Sequence, residues 1–228
     1  MKYKASRVDL QVTLQPNTFI NADCMDYLTK CPTNYFQLAI VDPPYGHGDI
    51  VITNNKTRNN ATKATEYYYS GYNKTSPPYE YFSELFRISE NQIIWGENYY
   101  KHNWAAGRIV WDKDNTGDFS DCEIAFQSFS DSVRKFKYRW NGMLQENMKE
   151  KEERIHPNQK PVALYRWLLK KYGKAGDLIL DTHVGSASSL IACKELGFDY
   201  VGFEIDKEYY EQAEKRLSRA FRKYELDL

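Results

Sequence analysis

The stretch that decides the fold is FQLAIVDPPY, which occupies residues 36–45. Its first six residues are almost all apolar, a pattern typical of a buried strand. Pro43 and Pro44 must end that strand, because proline fixes φ and has no N–H to donate to a sheet. Asp42 and Tyr45 are thereby expected at the carboxyl end of a strand, where open α/β sheets bind their ligands.

Runs of this kind alternate with helical patterns along much of the chain. The strand-forming runs are short and rich in β-branched or aromatic residues, whereas the helical segments carry apolar residues three or four positions apart. Strands that alternate with helices of this length indicate an α/β protein with a mostly parallel sheet. The predicted strands cover residues 18–21, 36–41, 92–95, 108–111, 123–129, 178–180 and 200–203, and the predicted helices cover 161–172, 186–196 and 206–224.

Length and composition are those of one globular domain. The chain has 228 residues, of which 42% are hydrophobic and 27% charged, enough for one sizeable core or two small ones. No apolar run reaches the ~18 residues of a membrane span, and the polar beginning of the chain does not resemble a secretory signal. We therefore expect a single domain over residues 1–228, located in the cytoplasm. The four cysteines have no metal-binding spacing, which predicts neither a disulfide nor a metal site.

Charge is balanced overall but unevenly distributed. The 31 Lys and Arg residues offset 31 Asp and Glu residues, so the formal net charge is zero. Residues 134–174 nevertheless hold twelve basic residues and four acidic ones, while residues 175–214 hold two basic and nine acidic ones. Zero net charge therefore does not exclude a nucleic-acid partner, because the sum conceals where the charges lie. On its own, either run is explained by a solvated helix face.

Two segments interrupt the alternation of strands and helices. Residues 51–80 contain many Asn, Thr and Tyr residues but few aliphatic ones, which predicts a long mobile loop. The second segment contains the run VRKFKYRW at 133–140, in which basic and aromatic residues alternate as on a strand or β-ribbon. The inserts 47–80 and 130–155 are therefore the expected substrate-contact surfaces.

A second motif, LILDTHVGSASS at residues 178–189, has the order strand, small-residue turn, helix. Small residues in such a turn let the backbone approach a nucleotide-like ligand, although a generic glycine turn explains the same pattern. Glu204 ends the next predicted strand about 20 residues later, where an acid in a Rossmann-like site binds ribose hydroxyls. Asp206 is expected to cap the last helix.

The two motifs together resemble the amino-methyltransferases of DNA, which use S-adenosylmethionine and carry an Asp-Pro-Pro-Tyr tetrapeptide. The resemblance covers about residues 18–216 and includes IIWGENYY at 93–100, IVWDK at 109–113, DCEIA at 121–125 and HPNQKP at 156–161. It implies a Rossmann-like methyltransferase fold, with helices on both faces of a twisted, mostly parallel sheet. The tetrapeptide precedes the cofactor loop, a circularly permuted order in which the strand of Glu204 would lie beside the strand at 18–21.

The resemblance assigns the catalytic role to Asp42, Pro43, Pro44 and Tyr45. An exocyclic amine on a base is a poor nucleophile until acceptors bind its protons, and the Asp42 carboxylate and Pro43 carbonyl are such acceptors. Tyr45 offers a ring on which the base can stack. Because the amine of a paired base lies inside the duplex, the nucleotide must first be flipped out. The implied reaction transfers a methyl group to adenine N6 in DNA.

The same resemblance assigns a set of residues to the cofactor. Lys160 is a candidate partner for the carboxylate of its methionine end, and His183 is expected to line the pocket rather than to act as a base. Asp23 either accepts a hydrogen bond from the cofactor's adenine amine or caps the helix that follows it. Ala187 replaces the second glycine of the family loop, Asp-Pro-Phe-x-Gly-Ser-Gly-Thr, and adds a methyl group to the turn. The complete set is Asp23, Lys160, Asp181, His183, Gly185, Ser186 and Glu204.

The basic aromatic run lies where the family has its target-recognition segment, so Arg134, Lys135, Lys137 and Arg139 are the predicted DNA contacts. Double-stranded DNA is the expected partner, and a second copy of the chain is a further one. Cytosine N4 is the alternative target, although family members that act on cytosine usually carry Ser in place of Asp42. A protein that keeps the fold and binds without turnover is the alternative that is not an enzyme.

Overall fold

The computed structural model describes residues 13–46, 75–115, 120–141 and 144–226, with the backbone alone for 223–226. Across these residues the chain forms ten strands and five α-helices. The strands are β1 (Thr18–Asn21), β2 (Phe36–Val41), β3 (Ser89–Trp95), β4 (Arg108–Asp112), β5 (Cys122–Gln127), β6 (Val133–Lys137), β7 (Trp140–Asn141), β8 (Leu144–Gln145), β9 (Leu178–Asp181) and β10 (Asp199–Glu204). The helices are α1 (Met25–Leu28), α2 (Tyr79–Ile88), α3 (Val162–Tyr172), α4 (Ser188–Leu196) and α5 (Lys207–Leu226).

Eight of these strands form one sheet in the order β1, β10, β9, β2, β3, β5, β4, β6, and β7 pairs with β8 separately. β5 runs antiparallel to β3 and β4, and the remaining pairings of the large sheet are parallel. The mostly parallel sheet predicted from the sequence is confirmed. The predicted pairing of β1 with β10 is also confirmed, since Asn21 lies opposite Glu204.

Apolar side chains on the two faces of the sheet pack against two separate sets of helices. In β2, Leu38 and Ile40 belong to the cluster that contains buried residues of α3, α4 and α5. Ala39 and Val41 belong to the cluster with α1 and α2. A parallel strand covered on both faces must be apolar at consecutive positions, which is the physical reason for the unbroken hydrophobic run before Asp42. Helices on both faces were predicted and are confirmed.

The connections after β2 and β9 diverge. These strands are neighbours, with Leu38 opposite Ile179. β2 continues through α2 to β3 on one side of the sheet, whereas β9 continues through α4 to β10 on the other. Because the two helices also cover opposite faces, a crevice opens between the carboxyl ends of β2 and β9, the usual ligand site of such a sheet.

The structure describes the two predicted inserts to different extents. The mobile loop predicted within 47–80 lies mostly outside the described residues, but its last residues, Tyr79 and Glu80, form the first turn of α2. The sequence did not predict α2, because two of its four buried residues are aromatic and the helix directly follows a polar run. The strand predicted in the basic aromatic run is confirmed as β6, an edge strand beside β4. No helix in the described parts of the chain is long and apolar enough to cross a membrane.

Candidate active site

Asp42 directly follows β2, and its carboxylate lies at the crevice. Oδ1 accepts a hydrogen bond from the hydroxyl of Tyr45 at 2.8 Å, and Oδ2 lies 2.5 Å from Nζ of Lys160. Pro44 is half-buried and restricts the backbone between Asp42 and Tyr45. Burial raises the pKa of the Asp42 carboxyl, and Lys160 opposes this rise by favouring the charged form. The carboxylate is 16% exposed and retains lone pairs for a ligand donor.

Lys160 joins Asp42 to a second acid. Its Nζ lies 2.9 Å from Oε2 of Glu123 and donates to the Tyr45 hydroxyl at 3.3 Å, while its side chain is only 2% exposed. Glu123 also forms an ion pair with Lys113. Burial would raise the pKa of Glu123, but the two lysines outweigh it and hold that pKa at about 2. The ammonium of Lys160 thus lies among two carboxylates and one hydroxyl, and its predicted contact with the cofactor carboxylate stays a prediction.

Tyrosine side chains enclose the tetrapeptide. Tyr100 donates its hydroxyl to the carbonyl of Pro43 at 2.6 Å, which leaves that oxygen one lone pair. The Tyr45 ring stacks on Tyr99 with 4.7 Å between centroids. Gly96 makes room for Tyr45, because a Cβ at this position of positive φ would lie 2.2 Å from the ring. Stacking of a base on Tyr45 stays a prediction, and Tyr99, 41% exposed, carries the aromatic stack toward solvent.

Asp181 ends β9 and holds the predicted cofactor loop together. Its Oδ1 accepts the amide N–H of His183 at 3.0 Å, and its Oδ2 accepts the hydroxyl of Ser189 at 2.5 Å. The side chain is buried, and burial raises the pKa of the carboxyl to about 7, although both hydrogen bonds favour the charged form. Asp181 therefore acts as a clamp between the start of the loop and the start of α4.

The turn that follows adopts the backbone conformation that favours glycine. Gly185 has φ +55°, and Ala187, the residue before α4, has φ +63°. The loop is held from behind by Arg216 of α5, which donates to the carbonyl of Ser186 at 2.6 Å and to the Ser188 hydroxyl at 2.9 Å. The Ser186 and Ser188 hydroxyls lie 3.1 Å apart. The sequence predicted this turn, and the positive φ of Ala187 explains why the family loop has glycine there.

His183 lies at the crevice side of the loop. Its Nδ1 is 2.9 Å from the hydroxyl of Thr182, and its ring packs edge-on against Tyr81 of α2. The Tyr81 hydroxyl is 2.6 Å from the same Thr182 oxygen. Burial lowers the pKa of His183 to about 4, so the ring is neutral at pH 7. A neutral, half-buried ring suits a pocket wall, the role the sequence predicted for it.

Beside this loop, Glu204 ends β10 and Asp23 lies two residues after the neighbouring strand β1. The Glu204 carboxylate accepts the amide N–H of Gly185 and that of Asp206, each at 2.9 Å. Asp23 accepts the amide N–H of Met25, the first residue of α1, at 2.9 Å, as the helix-cap alternative expected. Asp206 accepts amides of the first turn of α5, which confirms its capping role. The ribose and adenine contacts of Glu204 and Asp23 stay predictions.

Sequence reasoning missed several residues that shape this site. Arg216 bridges the loop to Glu152, which lies 2.6 Å from its Nη2 and belongs to the predicted second insert. His156 packs against the Tyr209 ring at 4.4 Å and faces Gly185. A signal for Arg216 did exist, since it lies seven residues after Tyr209 on the apolar stripe of α5, where a charge is unexpected. The roles of Glu123 and Tyr100 had no local signal.

The predicted DNA contacts lie on and after β6, away from the crevice residues. Lys137 and Arg139 both pair with Asp114, the lysine at 2.7 Å, and Lys135 lies 3.4 Å from Asp112. Arg134 is exposed and lies on the opposite face of the strand, because side chains alternate. All four basic side chains are exposed, but three of them already have an acidic neighbour. DNA binding by these residues stays a prediction.

The sheet, its crevice and the two motifs define the class of Rossmann-like methyltransferases. Residues 53–215 match the family model described as DNA methylase, and the chain therefore belongs to the DNA methylase family. In the described part of the chain, no group of His, Cys, Asp and Glu side chains is arranged to hold a metal ion.

Several curated proteins are similar in sequence. The chain is 41% identical to the type II methyltransferase M.HpaI of Haemophilus parainfluenzae over 31% of its own length and 23% of that protein's. It is 28% identical to M2.DpnII of Streptococcus pneumoniae, over 63% of this chain and 48% of the relative. M.HinfI of Haemophilus influenzae is 24% identical, with 88% of this chain and 68% of the relative covered. The chain thus spans about half or less of the first two relatives.

Solved structures confirm the fold. The crystal structure of the M1.HpyAVI–SAM complex superposes with a TM-score of 0.54 at 19% identity, covering 87% of this chain and 98% of the other. PvuII DNA methyltransferase, described as cytosine-N4-specific, gives a TM-score of 0.55 at 11% identity and covers 92% and 93% of the two chains. At these identities the likeness establishes the architecture and leaves the target base open.

Proposed function

We propose that this protein is a DNA methyltransferase that transfers a methyl group from S-adenosylmethionine to adenine N6. One observation carries the proposal: Asp42 and Pro43 directly follow β2, beside the loop that leaves the adjacent parallel strand β9 at Asp181. Acceptors for an amine and a turn suited to a nucleotide-like ligand therefore share one crevice. Membership of the DNA methylase family supports this assignment.

The residues present fit the proposed cofactor. The turn at Gly185 and Ala187 has the positive φ values that let backbone approach a ligand. Glu204 would bind ribose hydroxyls, Asp23 the adenine amine, and His183 would line the pocket. When bound, S-adenosylmethionine supplies an electrophilic methyl group on a sulfonium centre.

The residues of the tetrapeptide prepare the amine. Asp42 accepts a hydrogen bond from one N–H of the amino group and the Pro43 carbonyl accepts one from the other N–H, so electron density moves onto nitrogen as it becomes pyramidal. Tyr100 fixes the Pro43 carbonyl, and the stack of Tyr45 on Tyr99 offers an aromatic surface to a flipped base. Most of the acceleration then comes from position and electrostatics.

Adenine is the proposed base because Asp42 stands where relatives that act on cytosine usually have Ser. The proposed partner is double-stranded DNA, held in part by Arg134, Lys135, Lys137 and Arg139. A homodimer, which sedimentation would detect, belongs to the same proposal, as does a place in the cytoplasm of a bacterial or phage-infected cell.

The test uses methyl-labelled S-adenosylmethionine and duplex DNA of random sequence, followed by digestion and identification of the labelled nucleoside. We expect N6-methyladenine with the natural protein. Asp42→Ala should lower kcat about 100- to 1,000-fold while binding of S-adenosylhomocysteine persists, because the missing acceptor acts mainly in the transition state. Asp26→Ala, an exposed acid on α1, serves as the matched control.

The possible outcomes separate the alternatives. Label in N4-methylcytosine would show that the target base is cytosine rather than adenine, with the same reaction. Binding of cofactor and DNA without transfer of label would indicate a binding protein. Full activity of Asp42→Ala would exclude the proposed role of the tetrapeptide.

A further inference from the structure

The buried ammonium of Lys160 is shared between two carboxylates of different exposure and different surroundings. Asp42 Oδ2 is 2.5 Å from Nζ, and Glu123 Oε2 is 2.9 Å from it. Glu123 has Lys113 as a second cation, whereas Asp42 has the Tyr45 hydroxyl as its other donor. The charge on Asp42 therefore depends on how one lysine is divided between two acids.

This arrangement matters because a buried carboxylate tends to take up a proton. Asp42 loses solvent at the base of the crevice, which favours its neutral form. A protonated Asp42 would have one acceptor oxygen fewer for the amine. Lys160 restores the charge, and Glu123, an acid close to Asp42, works against it.

We propose that Lys160 is a positioning residue for methyl transfer: it keeps the Asp42 carboxylate charged and oriented toward the amine, and Glu123 limits this effect by competing for the same ammonium. The inference rests on the proposed function and assigns Lys160 to Asp42 rather than to the cofactor's carboxylate. It also explains why a lysine just before α3 is buried among aromatic side chains, with Nζ 5.4 Å from the Trp95 ring.

Other titratable groups lie next to Asp42, Lys160 and Glu123, and changes in their protonation must be separated from the titration of Asp42. Tyr45 and Tyr100 come from the segments after β2 and β3, Tyr81 from α2, and Tyr165 from α3. Asp181 of β9 also interacts electrostatically with Asp42. Burial raises the pKa of all four tyrosines and of Asp181. The tyrosines therefore stay neutral below pH 9. The effect of Asp181 titration is measured separately in Asp181→Asn.

The test compares Lys160→Met and Glu123→Gln with the exposed control Lys30→Met. Two quantities are measured in each: the midpoint of Asp42 titration from its carboxyl ¹³C signal, assigned with Asp42→Asn, and the pH dependence of kcat from 5 to 9. We expect Lys160→Met to move both toward higher pH and to lower kcat about 100-fold, because a carboxylate displaced by about 1 Å loses that much. Glu123→Gln should move both toward lower pH, and Lys30→Met should move neither.

Shifts of the Asp42 midpoint in opposite directions in Lys160→Met and Glu123→Gln would indicate positioning. A general structural role would not shift the midpoint in opposite directions in the two variants. Unmoved midpoints in Lys160→Met and Glu123→Gln would overturn the inference, as would a selective loss of S-adenosylhomocysteine affinity in Lys160→Met with the midpoint unchanged. If Lys160→Met does not fold, Glu123→Gln decides alone by whether the midpoint falls. A natural protein that shows these shifts in the ¹³C titration but transfers no methyl would refute the proposed function and leave the Asp42–Lys160 coupling intact.

Discussion

Ala187 combines two conflicting demands at one residue. Its φ of +63° is a conformation that costs an L-residue about 1 kcal/mol or more, yet its methyl group is completely buried in the core. Burial of a methyl group stabilises the folded state by about 0.8 kcal/mol. The replacement of the family's glycine by alanine is therefore nearly neutral in energy, and the turn keeps its shape.

We accordingly expect Ala187→Gly to change the free energy of unfolding by less than about 1 kcal/mol, since relief of strain offsets the removed methyl and the greater entropy of unfolded glycine. Ala187→Val should destabilise by about 2–3 kcal/mol, because a β-branched side chain fits neither the positive φ nor the closed space. Urea unfolding of both variants measures this. A glycine variant as unstable as the valine variant would show that packing of the methyl dominates.

Asp181 should make stability depend on pH. Its pKa rises from 3.8 to about 7 on folding, so the folded protein binds a proton more tightly than the unfolded chain between these values. The contribution is most favourable below about pH 4 and is lost as pH rises through 7, by up to about 4 kcal/mol. Asp181→Asn, which keeps the shape without the charge, should remove this dependence.

The measurement is the free energy of urea unfolding of both proteins from pH 4 to 8. We expect the two to agree near pH 4 and the asparagine variant to be more stable by a few kcal/mol above pH 7. A difference that does not vary with pH would mean that the hydrogen bonds from Ser189 and His183 keep Asp181 ionised throughout.

At the scale of elements, β6 lies at the edge of the sheet, and two aspartates offset part of the charge of the basic side chains on and just after it. Lys135, Lys137 and Arg139 are each close to Asp112 or Asp114, so DNA phosphates must compete with these acids. Exposed ion pairs contribute little stability, which leaves the basic side chains available at low cost. Two aspartates that sequence reasoning did not connect with the proposed interface are therefore expected to limit its affinity for DNA.

We expect alanine substitution of Arg134, Lys135, Lys137 and Arg139 together to weaken DNA binding and to reduce the slope of log affinity against log salt by about 0.9 for each phosphate that the variant no longer neutralises. The matched variant Asp112→Asn with Asp114→Asn should strengthen binding and steepen the slope. Fluorescence anisotropy at several salt concentrations measures both. An unchanged slope in the alanine variant would exclude β6 from the DNA interface.

At the scale of the whole molecule, the basic run of the sequence does not form one surface. Lys160 is buried in the crevice, and Arg166 pairs with Glu195 of α4. The exposed basic residues divide between residues 134–139, on and just after β6, and other parts of the chain, where Lys149, Lys151, Lys170, Lys171 and Lys174 are exposed. The zero net charge thus conceals both a buried network of charged side chains in the site and a basic edge outside it. The buried network, which includes Lys160 and Glu123, is the part that sets the charge of Asp42.

The sequence by itself determined the eight strands of the large sheet and the positions of the two motifs, because hydrophobic runs, prolines and small-residue turns act over a few neighbouring residues. It predicted β2 with its ends correct, and the neighbour relation of Asn21 and Glu204 followed from motif order.

Only the tertiary structure decided which side chains meet at the crevice. Lys160 and Glu123 lie 37 residues apart in the sequence numbering and join Asp42 only because the order and register of the sheet place β5 and the start of α3 behind β2. Contacts of this kind depend on the packing of whole elements, for which local periodicity carries no information.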